Sequence, residues 1–214
     1  MTLQQFIEGP LWYFAATVFL AGVAWRIIAA MMIGKPKDLT VARSSSMAGA
    51  AKSIALHSVP HGGNLSRTVY HVVSGYLFHL GLFALLLFAA PHVAFISERI
   101  VNVPWPAMPF WAFIIAAEAA FAGLILLYMR RLTDPIMRQL SDWDDHLGTW
   151  LTFLAMLTGC LALQESHTGL RLFHLVTVQV WMIYFPFSRL MHAFTFAAAR
   201  KHTGTTYGRR GFTP

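Results

Sequence analysis

Histidines in apolar stretches are the residues of this sequence best suited to bind a metal or a haem. His174 and His192 lie eighteen positions apart in the last apolar segment, about Leu170 to Arg200. On one helix, eighteen steps of ~100° make five whole turns and about 27 Å of rise. Both imidazoles would then share one face, near opposite sides of a membrane whose hydrocarbon core is about 30 Å thick. This spacing suits two stacked metal or haem centres.

An earlier apolar segment supplies the facing candidates, His79 and His92. They are thirteen positions apart, which is about 20 Å of rise but roughly 220° of rotation, so a straight helix would point them to nearly opposite sides. Pro91 is predicted to bend or end the helix just before His92 and to redirect that residue. His71, eight positions before His79, is the alternative ligand.

Depth in the membrane favours one pairing of these histidines. We pair His79 with His192 toward the cytoplasmic side, and His92 with His174 toward the outer side. The alternative pairs His71 with His192 and His79 with His174. The first pairing is preferred because His71 is at the very start of its apolar segment. An imidazole within a membrane span is costly and is a functional candidate by default.

Haem fits separated pairs of histidines better than zinc does. Zinc takes about four ligands that converge within about 2.1 Å of the metal, whereas haem iron takes axial ligands such as histidine. The chain has ten histidines and one cysteine, Cys160. A CxxCH haem attachment and a cysteine-ligated cluster are therefore excluded. Small residues are expected where a haem ring meets the helices, and the candidates are Gly75, Gly81 and Gly159.

The composition is that of an integral membrane protein. Of 214 residues, 57% are hydrophobic and only 12% are charged, against about a quarter in soluble domains, and the mean hydropathy is +0.55. At about 20 apolar residues per span, there is room for about five helices and no separate soluble domain. The net charge of +7 is assigned to basic cytoplasmic loops rather than to nucleic-acid binding.

Five apolar segments predict an all-α bundle of five transmembrane helices, at about 10–33, 69–91, 109–129, 147–163 and 171–198. The sequence has 16 Lys and Arg residues. Thirteen of them fall on one side of these spans, only Arg99 and Arg171 fall on the other side, and Arg189 falls within the last span. The positive-inside rule then places the N-terminus outside and the C-terminus in the cytoplasm. A flexible basic tail is expected over 199–214. The predicted location is the inner (cytoplasmic) membrane.

Charged residues within or beside the spans are further candidates for function. Arg26, Arg99 and Arg189 are candidates for contacts with haem propionates or with quinone. Glu118 lies midway through the third span, where a carboxyl should be protonated or paired. It is interpreted either as a hydrogen-bonded contact between helices or as a proton relay to the haem region.

Four motifs carry a family resemblance that covers nearly the whole chain. The most specific is His174 followed by His192 within PFSRLMH (186–192), and the others are LFHLGL (77–82), RRLTDP (130–135) and VFLAGVAWR (18–26). Together they resemble the gamma (cytochrome b) subunit of respiratory nitrate reductase. Its wider family includes membrane subunits of sulfite-reduction-associated and heterodisulfide-reductase-like complexes.

The resemblance implies a five-helix bundle that holds two b-type haems between the second and fifth helices. His79, His174 and His192 match the family's ligand positions. The family's fourth ligand position falls at Ala89, so either His92 substitutes or the outer haem is absent or differently held.

The resemblance also implies a function. Menaquinol or ubiquinol would be oxidised at the outer haem, and electrons would pass inward to cytoplasmic iron–sulfur and catalytic subunits. The family's quinone-site lysine has no counterpart here, and Arg99 and Trp105 are the nearest candidates.

We therefore expect a dihaem cytochrome b subunit that anchors a respiratory oxidoreductase complex, of the nitrate reductase or heterodisulfide reductase kind, in the bilayer. No catalytic residue of its own is predicted. The alternatives are a single-haem variant, a quinone-reducing variant, and a non-redox membrane anchor or small transporter whose histidines pack between helices.

Overall fold

A computed structural model describes residues 1–32, 41–56, 65–163 and 167–212 of the chain. Every regular element in these ranges is a helix, which confirms the predicted all-α class. In chain order the helices are α1 (Leu3–Phe6), α2 (Trp12–Met32), α3 (Ser46–Leu56), α4 (Leu65–Phe88), α5 (Ala90–Ile96), α6 (Phe110–Thr133), α7 (Pro135–Leu140), α8 (Trp143–Ala162), α9 (Thr168–Tyr184) and α10 (His192–Arg209). Two π turns (Ile7–Leu11 and Ser97–Val101) and two 3₁₀ turns (Phe185–Phe187 and Arg189–Met191) join some of them.

Within the described ranges, four helical stretches are long and apolar enough to cross a membrane, a pattern typical of a multi-pass membrane protein. They are Leu3–Met32, Thr68–Phe88, Phe110–Thr133 and Thr168–Phe187. All but the last residue of the predicted span at 147–163 lies within α8, a helix of 20 residues whose first turn carries Asp144 and Asp145.

The chain divides into two compact units, and the first consists of Met1–Trp12 and Val69–Trp181. Its core forms between α4, α6 and α8, with Leu85, Ala120 and Met156 among the buried members. A Cβ added at Gly81 would lie 2.7 Å from the backbone nitrogen of Ala120. Gly81, a candidate for contact with a haem ring, is therefore one of the residues that let α4 and α6 approach closely.

The N-terminal segment packs on α9 within this first unit. Pro10, which has no N–H to donate, lies in the first π turn. Nε2 of Gln179 donates a hydrogen bond to the carbonyl of Ile7 at 2.8 Å, and Arg171 forms an ion pair with Glu8. These contacts connect residues that are more than 160 positions apart in the sequence.

The second unit consists of Tyr13–Thr68 and Met182–Pro214. Phe19 of α2 packs edge-on against Phe185 and Phe194, at centroid distances of 5.3 and 6.0 Å. A Cβ added at Gly22 would lie 2.6 Å from side-chain carbons of Pro186. The helix α2 therefore lies directly against the first 3₁₀ turn.

Helices α3 and α10 pack backbone to backbone within the second unit. A Cβ added at Gly49 would lie 2.7 Å from Cα of Gly208, and the N–H of Arg43 donates to the carbonyl of Arg209 at 2.8 Å. The basic tail predicted at 199–214 is helical as far as Arg209, and glycines on α10 let this helix lie against α3.

The last predicted span is not one continuous helix. The helix α9 ends at Tyr184, and α10 begins only at His192. Pro186 has no N–H for a helical hydrogen bond, and Ser188 is extended, with φ −111° and ψ 174°. The prediction that His174 and His192 share one face of a single helix is therefore wrong.

Candidate functional site

A break in the helical backbone positions His92. The helix α4 ends one residue before Ala89, which is extended with φ −64° and ψ 134°, and α5 follows with Pro91 in its first turn. Nδ1 of His92 lies 2.9 Å from the carbonyl oxygen of Leu85, in the last turn of α4. The predicted bend at Pro91 is confirmed. It turns the imidazole of His92 back over the end of α4.

Neighbouring groups satisfy two further carbonyls in the last turn of α4. The indole N–H of Trp105 donates to the carbonyl of Leu87 at 2.8 Å, and the backbone N–H of Met108 donates to the carbonyl of Phe88 at 2.9 Å. Carbonyls in the last turn of a helix need such partners because they have none within the helix. Trp105, a candidate for quinone contact, therefore also stabilises the break beside His92.

His174 lies on α9, against α8. Its Nδ1 is 3.1 Å from Oγ1 of Thr158, and the Thr158 hydroxyl is also 2.8 Å from the carbonyl oxygen of Leu154, to which it donates. Because the Thr158 hydroxyl donates its proton to the carbonyl of Leu154, its oxygen accepts a hydrogen bond from the Nδ1–H of His174. A Cβ added at Gly159 would lie 3.0 Å from Cε1 of His174. Gly159 therefore borders the imidazole, as expected of a small residue at the site.

The structure brings His92 and His174 together within the first unit. Their ring centroids are 6.3 Å apart, and the ring planes differ by 26°. With metal–nitrogen bonds of about 2.0 Å, and each nitrogen about 1.2 Å from its ring centre, two imidazoles on opposite sides of one metal have centroids about 6.4 Å apart. The observed separation therefore fits a pair of axial ligands.

A centroid distance of about 4.5–7 Å also occurs in ordinary aromatic contacts, so the hydrogen bonds of the two rings matter as well. Both Nδ1 atoms are held by protein acceptors, the carbonyl of Leu85 and the hydroxyl of Thr158. Metal-binding histidines are oriented in this way, with one ring nitrogen on a protein acceptor and the other on the metal. In both residues Nε2 would be the ring nitrogen available to a metal.

The other predicted pair is divided between the two units. Nδ1 of His79, in the first unit, lies 2.7 Å from the carbonyl oxygen of Gly75. Nδ1 of His192, in the second unit, lies 2.9 Å from the carbonyl oxygen of Arg189. All four predicted ligands thus have Nδ1 on a protein oxygen, the feature expected of ligating imidazoles.

The remaining candidates lie at exposed positions, as His192 does. His71, the alternative ligand, is exposed near the start of α4. Arg26 on α2, Arg99 in the second π turn and Arg189 in the second 3₁₀ turn are also exposed. Gly75 has open space where a Cβ would be placed.

An apolar cavity of about 450 Å³ lies beside the helix that carries His92. It opens between the helix break, the start of α6 and the end of α8. Its lining consists of Ala89, Ala90, Pro91, Ala94, Met108, Phe110, Phe113 and Leu163. Such an apolar lining suits an apolar group rather than an ion.

Glu118 makes no hydrogen bond or ion pair with any residue that the structure describes, and its side chain is exposed. The buried residues of α6 that pack against α4 lie on the opposite side of the helix, at Ala116, Ala120 and Gly123. The interpretation of Glu118 as a contact between helices of this chain is therefore wrong within the described ranges.

One curated relative aligns along nearly the whole chain. It is a protein of Nitratidesulfovibrio vulgaris (strain Hildenborough), 27% identical over an alignment of 214 positions that covers 96% of this chain and 93% of the relative. No family model matches this chain. A second chain of similar length is therefore similar to this one over nearly its whole length.

Thr158 and Leu85 are the parts of the site that sequence reasoning missed. Thr158 directly precedes Gly159, which was singled out as a small residue, but nothing in the sequence indicates which helix faces His174. The carbonyl of Leu85 has no signal in the sequence, since any residue at that position would offer the same acceptor.

Proposed function

We propose that this chain is a membrane-embedded cytochrome b subunit that passes electrons between quinone and a cytoplasmic iron–sulfur partner. In this proposal α2, α4, α6, α8 and α9 are the five spans, with the N-terminus outside and the C-terminus in the cytoplasm. The observation that carries it is the His92–His174 pair, whose 6.3 Å separation fits two axial ligands of one haem iron.

At the outer site, the chain supplies ligands and their orientation. His92 and His174 would bind haem iron through Nε2, with Leu85 and Thr158 fixing the ring angles through Nδ1. Gly159 keeps the space beside the His174 ring open. When bound, b-type haem provides one-electron transfer at a potential that ligands, burial and nearby charge adjust.

At the inner site, His79 and His192 are the proposed ligands. The support is their spacing within the resembled motifs and the Nδ1 hydrogen bond that each makes to a backbone carbonyl. Arg26 and Arg189 are the cations proposed to face the haem propionates on this side.

Quinol oxidation is assigned to the outer side, next to His92. Each quinol gives up two electrons and two protons. The apolar cavity of about 450 Å³ is the proposed place for the quinone ring, and Arg99, exposed in the π turn after α5, is the proposed polar contact. Protons leave to the outer solution, and electrons continue to the cytoplasmic partner. We place the complex in the inner (cytoplasmic) membrane.

A reduced-minus-oxidised spectrum of the purified chain tests this proposal. We expect b-type bands, about two haems per chain, and reduction of at least one haem by a short-chain quinol. Absence of b-type bands would overturn the proposal in favour of a non-redox anchor or transporter. A value near one haem would favour the single-haem variant.

A further inference from the structure

Glu118 interrupts the most apolar of the four candidate spans. Between Phe110 and Met129, α6 carries no other charged residue, and its mean hydropathy reaches 2.2. At 1.5 Å per residue, Glu118 lies about 12 Å from Phe110 and about 18 Å from Arg130 at the other end. The carboxyl therefore lies near mid-depth when α6 spans a membrane.

The side chain of Glu118 lies on the outward face of α6. Ala120 and Leu124, on the inward face, are buried at 0% and 5% exposure. Trp111 and Ile125, which are seven positions before and after Glu118 and hence on its own face, are 67% and 48% exposed. This outward face meets either lipid or another membrane protein.

An unpaired carboxyl on that face is costly. Hydrocarbon offers no hydrogen bonds, and ionisable groups at mid-depth pair with one another or face a polar cavity. Within the described ranges Glu118 has no such partner. A carboxyl at this depth is either protonated or paired, and the group that pairs with a carboxylate is a lysine or an arginine.

The surface beside Glu118 fits a helix. Ala119 and Ala122 are small and on the accessible part of α6, and small residues let two transmembrane helices approach closely. An apolar groove of about 400 Å³ runs alongside, where large side chains of that helix would pack. It is lined by Val72, Val73, Tyr76, Leu77, Leu80, Gly81 and Ala119.

We propose that the outward face of α6 around Glu118 docks a transmembrane helix of another subunit, and that this helix carries a lysine or arginine at mid-depth. The inference does not depend on haem binding. A second copy of this chain fits less well. Two ionised copies of Glu118 would repel each other. Arg26 of a second copy would not reach mid-depth, because it lies only six residues before Met32, at the end of α2.

The test measures helix association with the full chain in lipid vesicles. The probes are two 24-residue Leu/Ala transmembrane peptides, one with a central lysine and one with a central leucine. Energy transfer from each labelled peptide to a C-terminal fluorescent tag on the chain reports binding. We expect the lysine peptide to bind at least tenfold more tightly, and this preference to vanish in Glu118→Leu. Equal binding of the two peptides to the natural chain would overturn the proposal.

Matched variants distinguish binding that depends on the carboxyl at position 118 from non-specific association of the peptide with the chain. Leu20, on α2, is also exposed at 65%, and Leu20→Glu combined with Glu118→Leu should not restore the preference. Circular dichroism and thermal unfolding confirm that each variant folds. A photo-crosslinking residue at Ile115, used in native membranes, then identifies the neighbour. Crosslinks only to lipid, or only to a second copy of this chain, would overturn the assignment of a partner helix.

Discussion

The two histidine pairs differ in how the fold supports them. His92 and His174 belong to one compact unit, where their rings are 6.3 Å apart and each Nδ1 has a side-chain or backbone acceptor. His79 and His192 match the resembled motifs more closely, yet they belong to different units. A motif match therefore identifies residues of the right type, whereas a ligand pair also requires contacts that hold both rings in place.

Paired substitutions provide the largest effect that tests this comparison. His92→Ala is expected to lower haem content from about two to about one per chain, because bis-histidine haem loses one axial ligand. Adding His174→Ala should leave the content near one, since both residues bind the same haem. Adding His79→Ala to His92→Ala should instead bring it near zero. The pyridine haemochrome assay measures all three.

Two results would contradict that assignment. A His92→Ala, His174→Ala double variant without haem would mean that the two residues bind different haems. Loss of a haem in His71→Ala would favour the alternative pairing, in which His71 faces His192 and His79 faces His174.

Crowding at Gly22 tests whether packing in the second unit is needed for haem binding at the inner site. In Gly22→Val the new Cβ would lie 2.6 Å from Pro186, six residues before His192, and overpacking of this kind costs about 1–3 kcal/mol. In a His92→Ala background, where the inner haem alone remains, we expect haem content to fall by about half or more. Gly9→Ala is the control, because nothing lies within 4 Å of its added Cβ. Equal losses in both would show that the effect is not specific.

Local sequence patterns predicted the helices and one of the two breaks between them. The break at Ala89 was expected, whereas the break between α9 and α10 was not. Pro91 was expected to redirect His92, and the chain does break next to it, at Ala89. Pro186 lies within the quoted motif PFSRLMH, but transmembrane helices tolerate proline when neighbours satisfy the freed carbonyls. The extended backbone at Ser188 was therefore not expected.

Contacts between distant segments are the part that the sequence alone does not determine. The hydrogen bond from His174 to Thr158 joins two helices, and its geometry depends on how α8 and α9 pack. The close approach of Gly49 to Gly208 is similar, because glycines occur along many helices and only packing decides which of them meet. Composition and periodicity therefore predicted the elements, and the pairing of faces required the structure.

Thr158→Val tests the support that is specific to the outer pair. The variant removes the acceptor for Nδ1 of His174 while keeping the shape of the side chain. Losing such a partner typically costs 10–100-fold in metal affinity. We expect haem to be lost from the outer site roughly tenfold faster, and the potential of that haem to rise as His174 becomes less basic.

Thr177→Val is the matched control for that variant. Thr177 lies on the same helix as His174 and is buried, but its hydroxyl donates to the carbonyl of Phe173 and not to a histidine. The same loss of haem in both variants would remove the special role of Thr158.

The smallest expected effect concerns the angle between the outer rings. A Cβ at residue 159 would lie 3.0 Å from Cε1 of His174, so Gly159→Ala requires that ring to move by a few tenths of an ångström. We expect full haem content but altered g values of one low-spin haem in electron paramagnetic resonance, because these depend on the angle between the axial imidazole planes. That angle is 26° here.

The measurement is best made in His79→Ala, where only the outer haem remains. Gly75→Ala is the control, because nothing lies near its added Cβ. Unchanged g values in Gly159→Ala would mean that the His174 ring does not lie against α8 in the haem-bound protein, and the outer pair would then lose its structural support.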